Sequence, residues 1–87
     1  MSQSPPPRMI QILFFAGVKD RIGEAELQVS LPEKPTSAGE ILKLVEKSRK
    51  NFLSPEIRIA INEEFAPFET ILQPGDTLAV IPPVTGG

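Results

Sequence analysis

The stretch Thr36-Ser-Ala-Gly-Glu-Ile-Leu-Lys-Leu-Val-Glu-Lys-Ser-Arg-Lys50 decides the fold. Ser37 stands three residues before Glu40, the spacing of a capping box that starts a helix. Ile41, Leu42, Leu44 and Val45 form the apolar stripe of that helix, and Lys43, Glu46, Lys47 and Lys50 are expected to face water. The expected span is about residues 38–50. Pro32-Glu-Lys-Pro35 breaks the chain before it, and Pro55 prevents its continuation. This is the one long helix the sequence offers. A single amphipathic helix among strands has to cover one face of one sheet.

Upstream, Met9-Ile-Gln-Ile-Leu-Phe-Phe15 is β-branched and aromatic, a strand signal. Ile10, Ile12 and Phe14 share one face, and Gln11, Leu13 and Phe15 share the other. Apolar residues on both faces suit a central strand, or one whose outer face meets a partner. Ala16 to Ile22 reads as a short helical turn stopped by Gly23. Glu24 to Leu31 alternates as a half-buried strand, and its short connection to the first strand implies an antiparallel pair. Downstream, Glu56 to Asn62 is a third strand and Asn62-Glu-Glu64 a polar turn. Phe65 to Phe68 is a short strand interrupted by Pro67. Gln73-Pro-Gly-Asp76 has the proline and glycine of a type II turn. Thr77 to Ile81 is the last strand, expected inside the sheet beside the first. Phe52 and Leu53 are expected to close the core, to which Phe14, Leu27, Leu44, Ile59 and Val80 are also assigned. Strand, strand, helix, then two or three strands is the pattern of an α+β, β-grasp (ubiquitin-like) fold: a mixed sheet of four to five strands with one main helix on one face.

The chain has 87 residues, enough for one small domain. The expected organisation is a flexible leader over residues 1–8, the domain over 9–81, and a flexible Gly-Gly tail over 82–87. The net charge of -2 gives no basic footprint for nucleic acid. There is no cysteine and no histidine, which excludes disulfides, thiol nucleophiles, Cys/His zinc sites and any Ser-His or Cys-His pair. No metal-ligand spacing and no phosphate-binding glycine loop is present. Met1 to Arg8 lacks the apolar stretch of a signal peptide, and the nearly apolar run Ile10 to Val18 is too short to span a bilayer. A soluble, cytoplasmic protein is expected, with neither membrane nor nucleic acid as partner.

The reactive group is expected at the end of the sequence. Gly86-Gly87 has no side chains to obstruct a narrow channel. Pro82 and Pro83 cannot donate to a sheet ladder, so they end the last strand and stiffen the exit. An ionised carboxylate at Gly87 is a poor electrophile until adenylation by ATP makes it a mixed anhydride. Sulfur could then leave a thiocarboxylate there, or an amine an isopeptide bond. Neither route needs a catalytic side chain on this chain. Glu63 and Glu64 lie in a turn without a cleft and make a poor acid–base pair. Phe15, Phe65 and Ile81 are expected to form an apolar patch near the exit that a partner recognises.

Three segments, Met9-Ile-Gln-Ile-Leu-Phe-Phe-Ala16, Leu72-Gln-Pro-Gly-Asp-Thr-Leu78 and Ile81-Pro-Pro-Val-Thr-Gly-Gly87, resemble the small subunits of molybdopterin synthases. The resemblance covers residues 9–87, and the Pro-Pro-Val-Thr-Gly-Gly ending is its most specific part. It implies that a ubiquitin-activating-like adenylyltransferase uses ATP on Gly87 and that a sulfur donor enzyme completes the thiocarboxylate. It implies no permanently bound cofactor. The tail, Pro82, Pro83, Val84, Thr85, Gly86 and Gly87, would enter the large synthase subunit, in a heterotetramer, and deliver sulfur to cyclic pyranopterin monophosphate to build the molybdopterin dithiolene. By motif, Phe15, Phe65 and Ile81 match the family's apolar contact positions. A thiamine-type sulfur carrier and a ubiquitin-like protein modifier share the Gly-Gly end, and a plain interaction module with an inert tail shares the fold.

Overall fold

The computed structural model describes residues 8–83. It contains β1 (Met9–Phe14), α1 (Ala16–Ile22), β2 (Glu26–Ser30), α2 (Ala38–Ser48), β3 (Arg58–Ile61), β4 (Glu64–Ala66) and β5 (Thr77–Ile81). The strands form one mixed sheet in the order β2-β1-β5-β3-β4. β1 and β5 run parallel in the middle, and the other neighbours are antiparallel. The last strand does lie beside the first, so the chain leaves the domain from the centre of its sheet. This is the β-grasp architecture.

Helix α2 starts where its sequence requires. The Ser37 side chain accepts the Glu40 N–H at 3.2 Å, and the Glu40 carboxylate accepts the Ser37 N–H at 2.9 Å. The next free donors of the first turn are taken up by the neighbouring segment: Ala38 N–H donates to the Thr70 carbonyl and Gly39 N–H to that of Phe68, both at 2.9 Å. A Cβ on Gly39 would lie 3.4 Å from both the Phe68 carbonyl oxygen and the Phe68 Cβ, so a residue without one suits this close crossing. The helix ends at Ser48, two residues earlier than expected; Arg49 has left the helical region at φ -127°, ψ -108°.

The core forms between α2 and the inner sheet face. Ile41, Leu42 and Val45 meet Ile10, Ile12, Phe14, Ile59, Leu78 and Val80 in one cluster. Phe52 closes it, edge-on to Phe14 at 5.7 Å between ring centroids. Leu27 packs against the cluster while partly exposed. Leu44, expected in the core, is 52 % exposed. Two residues past Leu42 and one before Val45, it is turned off the sheet-facing stripe, which the pattern Ile41, Leu42, Val45 already fills.

Two turns organise the far end of the sheet. Residues 73–76 make the expected type II turn, with Gly75 at φ 90° and the Asp76 N–H donating to the Gln73 carbonyl. The β3–β4 hairpin closes on two residues, Asn62 and Glu63, at φ 51° and 73°. That is the pair of left-handed residues of a type I′ turn, matched to the sheet's twist. Asn62 secures it. Its side-chain oxygen accepts the Thr77 N–H at 3.0 Å and its amide donates to Asp76 at 2.9 Å.

Candidate functional site: the open sheet face and the tail exit

The face of the sheet opposite α2 carries every second residue of each strand. Pairing register aligns Glu26, Leu13, Ala79, Ala60 and Phe65 in one row across all five strands. Two alanines at its centre make a shallow trough between Leu13 and Phe65. One step toward the exit, Ile81 pairs with Arg58. Phe15 stands just past the end of β1 on the same side, next to the start of α1.

The three expected contact residues are therefore on one side, around the exit. Phe15 is 46 % exposed and Phe65 is 69 % exposed, while Ile81 is half-buried. Such apolar exposure around a trough of small residues makes this face the candidate interaction surface. Leu13, Ala60 and Ala79 belong to it and were not expected there. Leu13 could have been read from its shared face with Phe15. Ala79 could be read likewise from its shared face with Ile81; that Ala60 lies beside it is shown only by the register.

Ile81, Pro82 and Pro83 line a groove of about 520 Å³ with Pro55, Glu56, Arg58 and Phe65. The Arg58 guanidinium lies over the Phe65 ring, 6.0 Å from its centroid. On the other side Pro82 borders a second hollow, formed by Val18, Arg21, Phe52, Leu53 and Ile57. Pro82 is thus half-buried between two walls, and Pro83 is exposed. The segment forming both walls, residues 52–57, is itself tied to α2. The Glu46 carboxylate accepts the Phe52 and Leu53 N–H groups at 2.8 and 2.7 Å. Glu46, expected to face water, instead anchors the floor of the exit. Val84, Thr85, Gly86 and Gly87 lie outside the described residues.

Among the described residues no group of three or more carboxylates is placed to hold a metal ion, and no helix is long and apolar enough to cross a membrane. The sequence contains no cysteine and no histidine.

A mixed five-stranded sheet with its helix on one face and a chain leaving from its central strand defines a ubiquitin-like β-grasp protein. Comparison with known proteins gives the particular group: the chain belongs to the ThiS family, which it matches over residues 12–87. Among curated relatives it is 34 % identical to the molybdopterin synthase sulfur carrier subunit of Haemophilus influenzae, across 91 % of this chain and all of that protein. It is 34 % identical to the subunit of the same name from Arabidopsis thaliana, across 90 % of this chain and 82 % of that protein. Among solved structures, SAMP1 from Haloferax volcanii superposes with a TM-score of 0.78 at 22 % identity, covering 91 % of this chain and 99 % of that one. A chain in the complex of subunits 1 and 2 of molybdopterin-converting factor from Helicobacter pylori superposes with a TM-score of 0.61 at 24 % identity, covering 91 % and 99 %. These structural likenesses establish the fold.

Proposed function

We propose that this chain is the sulfur carrier subunit of a molybdopterin synthase. The observation that carries the reading is the 34 % identity to a subunit of that name along its whole length. The family match that runs through Gly87 supports it. On this reading an activating enzyme transfers AMP from ATP to the Gly87 carboxylate, with pyrophosphate leaving. Sulfur from a donor enzyme then displaces AMP and leaves a thiocarboxylate. The open face, through Phe15, Phe65 and Ile81, docks on the large subunit. Pro82 and Pro83 direct Val84, Thr85, Gly86 and Gly87 into that subunit's pocket, where sulfur passes to cyclic pyranopterin monophosphate. The large subunit supplies the catalytic side chains; this chain supplies the sulfur. It works in the cytoplasm, where ATP and the activating enzyme meet it.

Intact mass spectrometry of the protein from cells tests the first half. Sulfur in place of oxygen raises the mass by about 16 Da, and fragmentation must assign the gain to Gly87 and not to an oxidised Met1 or Met9. Reconstitution with a large subunit and the cyclic pterin tests the second. Formation of the dithiolene is expected, and one residue added after Gly87 is expected to abolish it while the domain stays folded. A thiocarboxylated chain that yields no dithiolene overturns the reading. If such a chain instead sulfurates a thiamine precursor, it belongs with the thiamine-type carriers that the ThiS match also accommodates.

A further inference from the structure

Charge on the open face is distributed so that the face complements itself. The central row begins at β2 with a carboxylate, Glu26, and ends at β4 with Phe65 beneath the Arg58 guanidinium. Between them lie only Leu13, Ala79 and Ala60. Strand β5 is the middle strand of five, with two strands on each side. A two-fold axis running along β5, just above the face, therefore lays β2 of one copy over β4 of the other and β1 over β3. Glu26 then meets the second copy's Arg58–Phe65 pair, and the alanine troughs meet each other.

The other charges obey the same operation. Lys19 borders the hollow beside Phe15 and Glu26, and Glu56 borders the groove beside Arg58. The axis brings these two opposite each other. Glu63, at the β3–β4 turn, falls over the β1–β2 end near Gln28, beside Gln11, whose amide donates to Glu26 of its own chain. Turning the axis across the strands instead stacks β2 on β2 and sets Glu26 against Glu26, so charge selects one arrangement. Aligned stacking of two twisted sheets at about 30° keeps these rows within reach.

We propose that the free chain forms a homodimer through its open face, with Glu26 of each copy paired to Arg58 of the other. The interface is small. Five strands at about 4.8 Å spacing and five residues at about 3.3 Å give roughly 400 Å² per copy. That is the size of a weak, reversible contact. Self-association covers Phe65, Leu13 and the trough while no partner is bound, and any partner that docks on this face must displace it. This goes beyond the proposed function and does not depend on it.

Sedimentation equilibrium of the full chain across a wide concentration range tests the proposal. The wild type is expected to move from monomer to twice the monomer mass. Arg58→Glu and Glu26→Arg, both at exposed positions, are each expected to weaken association by about tenfold or more by placing like charges opposite. An equimolar mixture of the two variants restores it, since each like-charge pair becomes an opposite one. Circular dichroism checks that both variants fold. A wild type that stays monomeric throughout overturns the proposal. So do single variants that associate as the wild type does, or a mixture that fails to recover.

Discussion

Glu46 shows how one residue can be misread by pattern. It sits among lysines on the polar side of α2, where solvent exposure is the ordinary outcome. Its carboxylate nonetheless holds two consecutive backbone donors just beyond the helix end. Nothing in the local sequence signals this, because the donors belong to a segment with no regular structure. Replacing Glu46 with Ala leaves both N–H groups without their acceptor and is expected to cost on the order of 1–3 kcal/mol. Chemical denaturation measures the loss, and hydrogen exchange should locate it at Phe52 and Leu53. Leu44 is the opposite case, an apolar residue at helical spacing that stays outside. Leu44→Ala is expected to change stability by less than about 0.5 kcal/mol, whereas Leu42→Ala, at a fully buried position, is expected to cost about 2–5 kcal/mol. Equal losses for the two would put Leu44 back in the core.

At the scale of elements, α2 was legible because its start is written in local chemistry. The capping box, the apolar stripe and the flanking prolines all lie within the segment itself. The same carboxylate that caps it makes its stability depend on pH. Hydrogen bonds from the Ser37 backbone and hydroxyl hold Glu40 below its ordinary value of 4.5, with smaller help from Lys34 and Lys43. A group whose pKa is lower in the folded state contributes stability above its unfolded value and loses that contribution as pH falls through the folded one. Glu40→Ala is therefore expected to destabilise the protein near neutrality, by a difference from wild type that shrinks as pH falls through both values. Thermal melts at a series of pH values show this, and a difference that grows on acidification would contradict it. The type I′ turn at Asn62-Glu63 was less legible. A polar turn was evident, but its hand depends on Asn62 bonding to Thr77 and Asp76 across the sheet, which are distant in sequence. The strand ends shifted for the same reason: β3 begins at Arg58 because its pairing with β5 ends at Ile81.

At the scale of the whole molecule, the pairing of β1 with β2 and with β5 was legible; the places of β3 and β4 and the composition of the open face were not. Alternation alone put Phe15 and Ile81 on the side away from the helix. The trough of Ala60 and Ala79 emerges only when three strands are brought into register. The division of labour between faces leads to a direct expectation. Phe65→Ala removes a ring that is 69 % exposed, so stability should change by less than about 1 kcal/mol, while affinity for a partner docked on this face should fall at least tenfold. Isothermal titration with a molybdopterin synthase large subunit, the proposed partner, and a parallel melt give the two numbers. A stability loss comparable to that of a core phenylalanine would mean that Phe65 supports the fold and not the docking. Phe15→Ala is expected to behave alike, with a smaller effect for its smaller exposure.

The tail continues from β5, and β5 is hydrogen-bonded along both edges, to β1 running parallel and to β3 running antiparallel. A force applied at Pro82 is therefore directed along the strand, not across it. It loads the bonds on both edges together in shear instead of peeling them one by one. Sheets fail easily by unzipping from an edge and poorly by shear through the middle. On the proposed function, withdrawing the tail from the large subunit is therefore expected to leave the domain folded, so that the same handle serves in repeated rounds.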